Sequence, residues 1–408
     1  MSPDTFDLLW SQLLPIGRTP TGVGGYRRFA WSDADIEARA WFTAAAKARG
    51  LYVHSDRNGN LWAWWIPPGV LEPRDAFVTG SHLDSVPDGG AYDGPLGVVS
   101  ALCAIDVLRS RGVQPARPVA VVVFADEEGA RFGVACAGSR LLTGALAPDA
   151  ARALTDIDGV SVEHAMRRAG VDTVALGRDD DALARIGMFV ELHIEQGRAL
   201  IDLGAAVGIA TMIWPHGRWR FSFEGMANHA GTTRLVDRHD PMLPFAEAAL
   251  AARTQAAQHR GVATIGRVHV EPNGTNAVPS RVTGWLDARA PEHADVEAIV
   301  LGVEEIARAR SVTEGVSLTV TAESVAPIVE FSHDASARLH AVLGAGVPDL
   351  ATGAGHDAGV LSAHVPTAML FVRNPTGISH SPEEFAERAD CLAGVEALAA
   401  VMADWVSP

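Results

Sequence analysis

Residues 77–125 read FVTGSHLDSVPDGGAYDGPLGVVSALCAIDVLRSRGVQPARPVAVVVFA, and this stretch decides the fold. Phe77–His82 and Val119–Ala125 are short apolar runs bounded by turn residues, so both read as buried strands. Between them Leu96–Arg111 carries Ala, Leu and Val at helical spacing. Strand, helix and strand at crossover length imply two parallel strands of one sheet. Upstream, Ser32 caps a helix from Asp33 to Arg49, and Asn58-Gly59-Asn60 joins Leu51–Asp56 to Leu61–Ile66 as a hairpin. Downstream, Met188–His193 and Thr367–Val372 add apolar strands. Ser381-Pro382-Glu383-Glu384 reads as the capping box of a last helix running from Pro382 to Trp405. Over residues 212–326 alternating strands and two long helices form a separate α+β block. The expectation is an α/β chain whose main domain, residues 1–211 and 327–408, has a mixed, mainly parallel sheet flanked by helices. Residues 212–326 form its smaller insert.

Composition narrows the function. The 408 residues hold 49 Asp and Glu against 33 Lys and Arg, a formal charge of −16. Phosphate backbones and anionic membranes need clustered cations, so nucleic acid and membrane surfaces are not expected partners. Cys103, Cys136 and Cys391 form no CxxC pair, and Met1–Gly17 lacks the basic and apolar regions of a leader. A reducing cytoplasm is the expected location. GxSxG, HExxH and Walker-type patterns are absent.

Four short segments carry ionisable groups at predicted strand ends, where open α/β sheets build their sites. His82 ends the first strand, Asp84 follows it, and Asp93 lies in the glycine-rich loop beyond. A His-Asp pair suits a divalent metal, and equally caps a loop. Asp126-Glu127-Glu128 follows the second strand; such acids serve a metal site or simply a helix N-terminus. His193 sits in Glu191-Leu192-His193-Ile194-Glu195-Gln196, where burial without a partner would be costly. His380 directly precedes the capping box. Each alone is weak, and the four together at one sheet edge are not.

These pieces, with GMANHAGTT, PNGTNAVPSRV, DAR and GAGHDA further on, resemble the hydantoinase/carbamoylase branch of the di-metal amidohydrolases related to aminoacylase and carboxypeptidase G. The resemblance runs from about residue 15 to the C-terminus. It implies that the main domain is catalytic and the insert a lid and dimerisation domain, giving a homodimer. It implies two divalent ions, zinc or manganese with cobalt or nickel acceptable. One would lie on His82, Asp93 and His193, the other on Asp93, Glu128 and His380, sharing a hydroxide. Glu127 would be the general base, and Asp84 would orient His82. His229 would stabilise the oxyanion, from its own subunit or the partner's, and Gln196, Asn276 and Arg289 would hold the substrate. Arginine suits a carboxylate, although a strand-end surface charge is the commoner fate of such a residue. Arg373 departs from the family pattern; facing the pocket it would favour a second anionic substrate end, and otherwise it is a solvated loop residue. His356-Asp357 matches a family motif without an assigned role.

The implied activity is hydrolysis of a linear amide or ureido C–N bond in a small carboxylate. Allantoate comes first, N-carbamoyl-L-amino acids second, and an N-formyl or other N-acyl dicarboxylic amino acid such as N-formyl-L-glutamate third. A di-metal aminopeptidase or aminoacylase is the enzyme alternative. A metal-dependent binding protein without activity is the alternative outside enzymes, and the presence of Glu127 argues against it.

Overall fold

The computed structural model describes residues 4–20 and 24–407; residues 1–3, 21–23 and 408 of the expected main domain lie outside it. The strands are β1 (Tyr52–Ser55), β2 (Leu61–Trp65), β3 (Ala76–His82), β4 (Val119–Phe124), β5 (Ile186–Ile194), β6 (Val207–Ile213), β7 (His216–Glu224), β8 (Asn228–His229), β9 (Val262–Glu271), β10 (Ala277–Val278), β11 (Arg281–Arg289), β12 (Ser317–Ala326), β13 (Val329–Glu330), β14 (Asp349–Thr352) and β15 (Thr367–Val372). The main sheet runs β1-β2-β4-β3-β5-β15-β6-β13, with β14 beside β6. β4, β3, β5 and β15 are mutually parallel, and β1, β2 and β6 attach antiparallel. The predicted fold class is therefore found: a parallel centre with antiparallel flanks.

Continuous apolar strands demand cover on both faces. On one face Phe77, Val121, Val190 and Leu370 pack with Leu102 and Ile105 of the helix Pro95–Ser110 and Leu398 of the helix Arg388–Val406. On the other, Trp62, Phe124 and Phe189 meet edge to face. β3 and β4 approach so closely at Gly80 that a Cβ would fall 1.8 Å from the Val122 carbonyl oxygen. Ser32 caps the helix Asp33–Ala48 as expected, accepting from the Asp35 amide.

The last helix differs from expectation. It starts at Arg388, with Glu387 as N-cap, and residues 382–387 are not helical. Their acid has another task, described below.

The chain divides into two compact units, residues 1–211, 330–350 and 355–408, and residues 212–329 with 351–354. The second is built on the antiparallel sheet β12-β7-β11-β9. Phe221, Phe223, Leu286, Ile299 and Val303 form its core beneath the helices Met242–Gln258 and His293–Glu314. No helix among the described residues is long and apolar enough to cross a membrane.

Candidate active site

The parallel strands of the main sheet end at one edge. β3 ends on His82, β4 runs into Asp126-Glu127-Glu128, His193 is the penultimate residue of β5, and the segment after β15 carries His380. Asp93 lies between β3 and the helix Pro95–Ser110. Gly94 follows it at φ 81°, and a Cβ there would come within 2.5 Å of the His82 ring. Glycine is what lets the Asp93 loop close over the histidine.

Asp93 is the centre of the cluster. Its Oδ1 lies 3.4 Å from His82 Nε2 and 3.1 Å from His193 Nε2. Its Oδ2 lies 3.5 Å from His380 Nε2, which is 3.6 Å from Glu128 Oε2. Two ligand atoms about 2.0–2.1 Å from one tetrahedral ion sit about 3.3 Å apart, so these are the spacings of neighbouring ligands.

The tautomers argue the same way. His82 Nδ1 faces the Asp84 carbonyl at 3.1 Å, and His193 Nδ1 faces the Ile194 carbonyl at 2.8 Å. A carbonyl only accepts, so each Nδ1 carries a hydrogen and each neutral ring presents a bare Nε2. Both Nε2 atoms and Glu128 Oε1 are buried without a hydrogen-bond partner. Lone pairs aimed at a carboxylate call for a cation between them. The groups His82–Asp93–His193 and Asp93–Glu128–His380 fit divalent ions in both geometry and donor chemistry. Protons otherwise take that part: burial alone would lower the His82 imidazole, but Glu127, Asp84 and Asp93 raise it well above its usual range. Burial would raise Asp93, and His193 and His82 instead hold it well below.

Glu191, His193 and His356 also cluster. Glu191, however, already accepts from the Ser81 hydroxyl at 2.7 Å and from the Ala358 amide at 3.0 Å. It ties β3 and β5 to the His356-Asp357 segment, which is a packing role.

Glu127 is buried with Oε2 3.7 Å from His82 Nε2. Burial pushes its carboxyl well above the usual range, against the opposing pull of His82. That environment makes it a better proton acceptor than an exposed glutamate. Asp84 differs in detail from the expected role. Its main-chain carbonyl, not its carboxylate, meets His82 within hydrogen-bond distance; Asp84 Oδ1 stays 3.6 Å from Nδ1. The carboxylate instead accepts from the Glu127 and Glu128 amides at 3.1 and 3.0 Å, fixing the backbone of both acids. Gln196 Nε2 donates to Asp93 Oδ2 at 2.7 Å.

Glu384 is a site residue that sequence reasoning assigns elsewhere. Its Oε1 accepts from both the Tyr92 and Asp93 amides at 3.0 Å, and the side chain lies against Gly90, where a Cβ would meet it at 2.3 Å. It clamps the Asp93 loop to the His380 segment. The available signal was a second acid just after the histidine motif.

The second unit carries the other expected residues. His229 is exposed, and its Nδ1 accepts from the Gly231 and Thr232 amides at 3.0 and 3.2 Å. Its Nε2 therefore holds the hydrogen, ready to donate. His229 pairs with Ala277, next to Asn276, whose carbonyl accepts from the Ala230 amide. Arg289 pairs bidentately from Nε and Nη2 with Asp287 and donates from Nη1 to the Gly353 carbonyl; one N–H on each terminal nitrogen is left, and Asp287 is shared with Arg218.

Arg373 requires a correction. Its Nε and Nη2 both donate to Asp390 at 2.8 Å, a bidentate pair with a carboxylate only 6% exposed. The Nε–Nη2 edge of the fork is held by the protein and the charge is matched one to one by Asp390, so Arg373 is not a free second cation for a substrate.

A family model described as Peptidase family M20/M25/M40 matches residues 78–404. The chain belongs to this family. The family is metal-dependent, and the ligand clusters above agree with that. N-carbamoyl-L-amino acid amidohydrolase of Geobacillus stearothermophilus is 36% identical over 405 residues, 96% of each chain. Ureidoglycolate hydrolase of Arabidopsis thaliana is 33% identical, covering 92% of this chain and 81% of that one. Allantoate amidohydrolase of Escherichia coli strain K12 is 31% identical over 93% of each chain. A crystal structure of a hydantoinase/carbamoylase-family amidase from Burkholderia vietnamiensis superposes with a TM-score of 0.87 at 30% identity, covering 99% of this chain and 98% of that one. The sequence resemblance thus holds, and the named relatives of this M20 chain are amidohydrolases that act on C–N bonds outside peptides.

Proposed function

We propose that the protein hydrolyses the ureido C–N bond of an N-carbamoyl-L-amino acid, with allantoate and ureidoglycolate as the next substrates to test. The observation that carries the hydrolytic reading is the convergence of bare His82 and His193 Nε2 atoms on Asp93 beside the buried Glu127. Two features support the substrate. The Geobacillus relative, at 36% identity, bears that name. The engagement of Arg373 by Asp390 also removes the one argument for a dicarboxylic N-formyl compound.

Divalent ions on His82, Asp93 and His193 and on Asp93, Glu128 and His380 would supply a Lewis acid and a water of lowered pKa. The residues do the rest. Glu127 takes a proton from the attacking water and returns it to the departing nitrogen. His229 Nε2–H donates to the oxygen on which negative charge develops. The open N–H groups of Arg289 and the amides of Asn276 and Gln196 hold the substrate carboxylate and ureido group. Water adds to the carbamoyl carbon and the bond to the amino-acid nitrogen breaks, giving the free amino acid and carbamate, which falls apart to ammonia and carbon dioxide. A homodimer through residues 212–326 is part of the same proposal, and light scattering on the purified protein checks it.

The deciding experiment is ammonia release by protein stripped of metal and reloaded with zinc or manganese. The panel is N-carbamoyl-L-amino acids, allantoate and ureidoglycolate, with N-formyl-L-glutamate followed by formate. Metal-dependent ammonia from an N-carbamoyl amino acid is expected, and Glu127→Gln should abolish it while metal content stays unchanged. Formate alone would move the substrate to the N-formyl class. Silence across the panel with metal bound would overturn the proposal.

A further inference from the structure

Cys136 stands where the loop after β4 turns into the helix Ala137–Thr143, and it does so in the left-handed region at φ 54°. That conformation is disfavoured for a side chain other than glycine, asparagine or aspartate, so contacts must hold it there. They all point back at the acidic segment. The Cys136 amide donates to the Glu127 carbonyl at 2.6 Å, and the Ala137 and Gly138 amides donate to the Asp126 and Ala125 carbonyls at 2.9 and 2.8 Å. The buried thiol donates to Glu127 Oε1 at 3.3 Å. Ser139 braces the turn, its hydroxyl lying 3.2 Å from the Cys136 carbonyl and 2.5 Å from Asp357 Oδ1.

Glu127 is thus gripped three times. Asp84 takes its amide, the Cys136 amide takes its carbonyl, and the Cys136 thiol takes one carboxylate oxygen. The other oxygen, Oε2, faces His82 Nε2 across 3.7 Å. We infer that Cys136 is a positioning residue for the proton-carrying glutamate: its S–H holds Oε1 and thereby presents Oε2 alone to the reacting water. The inference rests on the proposed role of Glu127, and it concerns orientation only. No sulfur bond is made or broken. A carboxylate free to rotate about its last torsion would spend part of its time with neither oxygen aligned.

Two measurements test it, one independent of activity. The S–H stretching band of Cys136 is isolated as the difference between infrared spectra of wild type and Cys136→Ala. It should lie below the frequency of a free thiol and move up in Glu127→Ala, which removes the acceptor. A band already at the free-thiol frequency, or one unmoved in Glu127→Ala, would overturn the inference even if no substrate is turned over. On the substrate the wild type accepts, Cys136→Ala should lower kcat by about tenfold with KM and metal content unchanged. Cys136→Ser, which restores a donor, should lie within about threefold of wild type. Equal losses in both variants would mean that the sulfur only fills space, and no loss in Cys136→Ala would mean that the thiol contact does not matter. A wild type silent on the panel would count against the proposed reaction and leave the infrared result to judge the thiol.

Discussion

Replacing Glu384 by alanine strips the acceptor from two amides at once, and the effect can be worked out from the loop it holds. Oε1 receives the Tyr92 and Asp93 amides at 3.0 Å each, from a side chain that is 4% exposed. A buried N–H left unpaired costs about 1–3 kcal/mol, so two would cost about 2–6 kcal/mol if nothing replaced the carboxylate. Water entering the vacated space over Gly90 would recover part of that, which sets the expected loss of stability near the lower end, about 2 kcal/mol. The second effect is on the site itself, because Asp93 is the residue on which both candidate ligand groups meet. Loss of a partner that orients a ligand weakens metal binding by about 10–100-fold. In excess zinc the stabilisation gained on loading should then fall by about 1.4–2.7 kcal/mol.

Glutamine is the control. Burial, with Asp93 adding, pushes the Glu384 carboxyl up to about 7, and the glutamine carbonyl keeps an acceptor in place for both amides. Glu384→Gln should therefore bind zinc within about threefold of wild type. The assay is a zinc titration against a competing chelator, paired with thermal melts of stripped and loaded protein. If Glu384→Ala melts lower but binds zinc as tightly as wild type, the clamp is structural and the reasoning about Asp93 fails. If Glu384→Gln is as impaired as alanine, charge matters and the two amides do not.

Three further outcomes follow from the same geometry. Arg373→Ala leaves the buried Asp390 without its partner, so it should lower the melting temperature, at a cost of up to about 3–5 kcal/mol, with KM unchanged; a raised KM at unchanged stability would return Arg373 to the pocket. Asp35 is raised to about 6, chiefly by burial, against about 3.9 unfolded. The folded chain therefore keeps a proton that the unfolded chain has lost, and stability falls as pH rises from about 4 through 6. Asp35→Asn keeps an acceptor for the Trp31 amide and should gain on wild type in melts at pH 7 relative to pH 4, and a constant gap would refute this. His229→Ala should cut kcat by about 10²–10³ with metal content unchanged, as expected for a lost oxyanion donor; an effect confined to KM would reassign it to substrate holding.

The strand-helix-strand unit around residues 77–125 was legible because buried parallel strands must be apolar throughout, and few other elements are. The histidines and acids were legible as exceptions to that rule at the ends of β3, β4 and β5. What was hidden lies in long-range pairing. Cys136 and Glu127 are nine positions apart, yet their contact depends on a left-handed turn that no residue type there announces. Ser81 and Glu191 meet only once β3 and β5 are laid side by side.

The two misreadings near the C-terminus share one physical cause. A capping box at Ser381–Glu384 would start the last helix at Pro382 and use the second glutamate on its own backbone, a gain of about 1 kcal/mol. The fold offers that carboxylate two buried amides instead, whose neglect would cost about 1–3 kcal/mol each. Tertiary demand exceeds local preference, so Ser381–Glu384 close only a single turn, residues 384–387 take up no helix, and the helix begins at Arg388. That later start also puts Asp390 in the first turn, where its negative charge suits the helix terminus and where it meets Arg373. One displaced boundary thus turns a capping acid into a clamp on the site and a pocket-facing cation into half of an ion pair. The Glu384 and Arg373 variants accordingly test the same packing decision from its two ends.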